Sequence, residues 1–182
     1  MDWVLFVKFL HVAAVILWLG GGFYVVLTAY LAERDNDDAQ FVSVLRSNAP
    51  LGKFLFFPAQ LATLITGGIL WWMSWGLVEF WLLLGLGGFV ASMLMGMLIV
   101  GPGSERIAVA LGTEGAKPGV LDEGRRLMRI ARFEVVILFS TAAVMVLRPQ
   151  PADIGILGAL VIAVAAGAVA FLLRGRRASP SM

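Results

Sequence analysis

Five apolar runs alternate with polar intervals along the chain. The first covers residues 4–31 and is broken only by Lys8 and His11. The others cover residues 54–75, 80–100, 133–147 and 154–173. A helix needs about 20 apolar residues to cross the hydrocarbon layer of a bilayer. In lipid only a helix or a closed barrel satisfies its own backbone groups, and runs of this length are helical ones. The pattern therefore predicts an all-α, polytopic transmembrane bundle of five helices forming one domain over residues 1–173. The fourth run is short, and its helix is expected to extend well beyond the membrane.

The polar intervals punctuate the runs. Residues 32–53 begin with the charged stretch Glu33-Arg34-Asp35-Asn36-Asp37-Asp38 and read as a loop, with a short helix at 41–45. Residues 101–132 read as a second loop. Gly101-Pro102-Gly103 is expected to stop the third helix, and Gly112 to Gly119 to form a flexible break. Asp122 and Glu123 favour a helix start through the helix dipole. Arg125, Arg129 and Arg132 follow at helical spacing, so that helix should run directly into the fourth span. A tight turn at Gly76 joins spans two and three, beside an interfacial belt of Trp71, Trp72 and Trp75. Arg148-Pro149-Gln150-Pro151 forms a rigid turn. The opening run reads as a retained helix: Asp2 is acidic and no cleavage motif follows promptly.

Basic residues orient the bundle. Of fourteen lysines and arginines, all but Lys8 and Arg148 fall in the two polar intervals and the tail 174–182. Positive charge favours the cytoplasmic side, which places the N-terminus outside and the C-terminus inside. The two polar intervals are then cytoplasmic loops.

Composition agrees: 60% of residues are hydrophobic and 14% charged, with mean hydropathy +0.90. Soluble domains average about 45–50% apolar and about 25% charged. The absence of cysteine removes disulfides, thiolate metal sites and cysteine nucleophiles. The net charge of +2 sits beside apolar segments and forms no nucleic-acid footprint. No phosphate-binding loop, Ser-His-Asp arrangement, histidine pair or acidic relay appears.

His11, the sole histidine, lies inside the first span, where an ionisable side chain is a functional-site hypothesis by default. Its ordinary reading is a neutral imidazole bonded to a neighbouring helix. Met93 and Met97 share a face of the third span and are candidate thioether ligands; methionine is also a common apolar gap-filler. Glu134 reads as an interfacial ion-pair partner of Lys53, Arg46 or another basic group at the cytoplasmic edge. Gln60, Thr63 and Thr66 read as interhelical hydrogen-bond donors. Gly88, Ser92 and Gly96, and Gly155, Ala159, Ala163 and Gly167, form small-residue stripes suited to close helix packing, within the chain before between chains.

The segment Phe6-Val7-Lys8-Phe9-Leu10-His11-Val12 through Trp18-Leu19-Gly20-Gly21 resembles the first helix of the bacterial family numbered 2269 among domains of unknown function, predicted integral membrane proteins. Pro58, Thr66-Gly67-Gly68 and Trp81 fit the same layout. The segment is also distantly similar to HemJ-type protoporphyrinogen oxidases and CopD-type copper resistance proteins. The HemJ resemblance implies that His11 ligates haem. The histidine and lysine it implies in the third helix are absent, and Met93, Met95 and Met97 occupy that region.

These readings lead to a multi-pass protein of the bacterial inner membrane, in contact with lipid, that binds haem b, or less readily copper, through His11, with Met93 and Met97 as further cofactor candidates. The competing expectation is an accessory or assembly protein, homodimeric or bound to a partner membrane protein, or a small transporter-like protein.

Overall fold

The structure is a computed structural model that describes residues 2–74 and 79–173. The expected turn at Gly76, Trp75 and the basic tail lie outside the described residues. Helix α1 spans Trp3–Arg34 and is capped by the Asp2 carboxylate, which accepts from the Val4 amide at 3.0 Å. At 1.5 Å per residue it is about 48 Å long, more than the roughly 30 Å hydrocarbon layer requires. Its last turns therefore project beyond the apolar zone. Helix α2 (Asp38–Leu51) starts on the Asp37 cap and passes through a π turn, Gly52–Phe56, into α3 (Phe57–Ser74). Helix α4 (Phe80–Met95) likewise passes through a π turn, Gly96–Val100, into α5 (Gly101–Thr113). Helix α6 (Pro118–Leu147) and helix α7 (Ile154–Ala168) complete the bundle. Among the described residues five continuous helices are long and apolar enough to cross a membrane: Trp3–Arg34, Asp38–Met73, Phe80–Thr113, Pro118–Leu147 and Ile154–Leu173.

The expected stop at Gly101-Pro102-Gly103 is not a stop. Proline lacks an amide donor and its ring crowds the carbonyl four residues back. The chain absorbs this by widening one turn. The Gly101 amide reaches back to the Gly96 carbonyl, and the Phe57 amide, just before Pro58, reaches back to the Gly52 carbonyl. Both π turns thus begin on a glycine six residues before a proline. A Cβ at position 101 would lie 2.9 Å from the Gly96 oxygen, so glycine suits that close approach.

The polar intervals are not loops either. At one end of the bundle α2, α5, the last turns of α1 and the first half of α6 enclose a core of their own. Phe41, Leu45, Ile107, Leu111 and Met128 are almost fully buried there, against Ala29 and Ala32. These apolar positions recur at three- and four-residue steps, the mark of amphipathic helices. Gly124 lets α6 approach α2, since a Cβ there would stand 2.6 Å from Leu45. Gly103 does the same for α5, 2.7 Å from Leu127. These helices close that end of the bundle, the capped end. A second cluster of Trp18, Ala59, Phe89 and Leu138 ties the spans together in the apolar zone.

Helices α1 and α6 form the spine. At the capped end Arg132 donates to Glu33 at 2.6 Å, with side chains only 12% and 20% exposed, and Arg132 stacks over Tyr30 at 5.5 Å. Helix α3 packs mainly on α1, and α4 mainly on α6, through Gly85 against Met145 and Gly88 against Thr141. The α4 stripe therefore packs within the chain. In α7 only Gly167 is buried, against Val136.

Removing one partner of a poorly hydrated ion pair leaves the other uncompensated. Arg132→Ala is expected to destabilise the folded protein by about 3 kcal/mol. Unfolding in detergent checks this, with the exposed Arg34→Ala, whose pair with Asp35 is surface-screened, as an unchanged control.

Candidate functional site

Because α3 leans on α1 and α4 leans on α6, α3 and α4 barely meet among the described residues. Between the two continuous proline-bearing helices, Asp38–Met73 and Phe80–Thr113, around their π turns and over the α1–α6 spine, lies a groove of about 330 Å³. Both π turns line it: Gly52, Lys53 and Phe56 on one side, Gly96, Met97 and Val100 on the other. Such turns are rare and frequently mark functional sites. Trp18, Val25, Val135 and Leu138 form the apolar back wall.

The polar groups are few and placed at one level. Glu134 of α6 is 8% exposed and accepts a hydrogen bond from Ser92 Oγ of α4 at 2.8 Å. Gln60 of α3 is 6% exposed and faces the same groove, with no hydrogen-bond partner among the described residues. Both meet at Gly96: a Cβ there would stand 3.4 Å from Gln60 Nε2 and 3.5 Å from Glu134 Oε1. The bare glycine keeps the space between amide and carboxyl open. Nearer the capped end Asn48 donates to Ser104 at 2.9 Å, joining α2 to α5. At the rim Lys53 pairs with Glu105 at 2.8 Å, well exposed.

A family model described as "Predicted integral membrane protein (DUF2269)" matches residues 5–149. The chain belongs to the DUF2269 family. No curated protein and no solved structure matches it. Every groove residue of this DUF2269 chain lies inside the matched stretch, and α7 lies outside it.

The expected ion pair of Glu134 with Lys53 or Arg46 does not form. Glu134 points toward α4 and Ser92, Lys53 is taken by Glu105, and Arg46 reaches the Leu111 carbonyl at 3.5 Å. Gln60, read as an interhelical donor, faces open space instead. Thr63 and Thr66 turn their hydroxyls back to carbonyls of α3 itself.

His11 does not line the groove. It is half-buried against α3, its Nδ1 3.1 Å from the Thr63 carbonyl and 3.1 Å from Thr66 Oγ1, over the bare Gly67. A carbonyl can only accept, so Nδ1 carries the proton and Nε2 of a neutral ring keeps its lone pair. Met93 packs on the Trp18 cluster, and Met97 lies in the groove. Trp18 is seven residues along α1 from His11, or about 10 Å of helix rise. The methionines and His11 thus sit at different levels of the bundle. Among the described residues no three His, Cys, Asp or Glu side chains gather.

The sequence signal that could have found this site is the pair of glycine–proline spacings, Gly52 to Pro58 and Gly96 to Pro102, with Gln60 just past the first and a lone carboxyl, Glu134, in the fourth span. Ser92→Ala would leave the Glu134 carboxyl buried without its donor. Loss of about 1–3 kcal/mol is expected. Chemical unfolding of the variant in lipid nanodiscs checks it.

Proposed function

We propose that this DUF2269 chain is a ligand-binding protein of the bacterial cytoplasmic membrane, with the groove between its two π turns as the binding site. The observation that carries this reading is Gln60. The residue is 6% exposed, yet its amide is open to the groove: among the described residues the polar atoms sealed in without a partner are Glu33 Oε1 and Arg132 Nε instead. The amide lies beside a carboxyl whose second oxygen is also unengaged. Pockets that hold small molecules have this make-up, mostly apolar walls with a few converging polar groups. The capped end lies in the cytoplasm in this reading, because it gathers the basic residues.

The chain has no cysteine, so a single introduced thiol reports without background. Gln60→Cys should react with a small water-soluble methanethiosulfonate reagent applied from the cytoplasmic face of membrane vesicles. Leu61→Cys, on the exposed apolar surface, should not. An inert Gln60→Cys would overturn the groove reading, and reaction only from the opposite face would reverse the orientation.

A second reading, haem b or a metal held through His11, is favoured by one specific feature. Ligating histidines commonly donate their other ring nitrogen to a carbonyl, which fixes the ring and its free lone pair. His11 does this with Thr63. In this reading the purified protein shows a Soret band that His11→Ala removes. A spectrum without the band, with or without added haem, ends the haem form of it.

A further inference from the structure

The groove also has a definite chemical preference, an inference that rests on its being a binding site. We propose that it takes a lipophilic amine: a protonated amine head held between Glu134 and Gln60, with an apolar body lying along the groove toward lipid. The polar atoms on offer are asymmetric. Glu134 is an acceptor group with one protein donor, Ser92. Among the described residues no basic side chain pairs with it: Lys53 is held by Glu105, and Arg132, two residues away on α6, is held by Glu33. Gln60 places its amide beside Gly96 with Nε2 nearest, and turning that amide over presents its carbonyl acceptor to the same space. An ammonium group has three donors and no acceptor. It therefore complements this pair, while an anion would meet the Glu134 carboxyl, and Lys53 of the lining stands at the rim already paired with Glu105.

The surroundings point the same way. A carboxylate in an apolar medium is costly unless a cation is paired with it. A ligand that brings the cation supplies what the fold omits. The groove walls include Trp18, Phe56 and Phe57, and aromatic faces attract ammonium groups. Phe57 and Met97, about half exposed, stand at the lips between α3 and α4. Since these helices barely meet, an alkyl chain can lie between them and reach lipid without moving the spine.

The test uses the full chain in phosphatidylcholine nanodiscs and isothermal titration with dodecylamine, against dodecanol of equal chain length, with empty nanodiscs subtracted. Saturable binding of dodecylamine is expected, roughly tenfold or more tighter than dodecanol, the size of one charge-assisted hydrogen bond. Glu134→Gln keeps the shape and should erase the preference. Should that variant fail to fold, Gly96→Val, which fills the space between Gln60 and Glu134, should abolish saturable binding. Equal binding of amine and alcohol, or a preference that survives in a folded Glu134→Gln protein, overturns the proposal. If Gln60→Cys still reacts in that case, the groove stands and only the amine assignment falls. An inert Gln60→Cys removes both.

Discussion

Pro58 and Pro102 each take away a backbone donor where lipid offers no substitute. Inside a bilayer an unbonded carbonyl is expensive, and a proline-bearing helix must find another way to close its turns. This chain widens one turn before each proline, so that Phe57 and Gly101 bond carbonyls five residues back. Two helices then continue without a loop, α2 into α3 and α4 into α5. The altered turns face each other across the bundle, and the groove lies between them.

That geometry holds only because something else keeps the bundle together. The spine of α1 and α6, locked by Arg132 with Glu33 at the capped end and by the Trp18 cluster in the apolar zone, carries α3 on one side and α4 on the other. The amphipathic helices of the capped end form a second core beneath it. With packing concentrated there, the fold can leave α3 and α4 apart and tolerate a buried carboxyl and a buried amide that are not bonded to each other. Functional sites are where such local inconsistencies are expected.

The five spans and the long fourth helix were legible because lipid imposes a length and a hydropathy that few other settings require. The family was legible in the first helix, from Phe6 to Gly21. The capped-end core was not, because hydropathy averaged over a window hides Phe41, Leu45, Ile107 and Leu111 among charged neighbours, although their three- and four-residue spacing was there to read. Gly101-Pro102 misled for a physical reason: in water proline usually ends a helix, whereas in a membrane the helix continues by rearranging. Glu134 misled because proximity to arginines along the chain suggested an ion pair, while its face of α6 turns toward Ser92. Whether Gln60 meets a partner or a cavity depends on how far α3 and α4 stand apart, which no spacing within either helix encodes.

If the groove is a binding site, the Glu134 carboxyl inside the membrane is reachable through the opening between the two π turns. Dicyclohexylcarbodiimide partitions into lipid and adds covalently to carboxyl groups it can reach there. Peptide mass spectrometry of the treated, membrane-embedded protein should find the adduct on Glu134, and dodecylamine should reduce it. An unmodified Glu134, with adducts confined to carboxylates outside the apolar zone, would contradict the account.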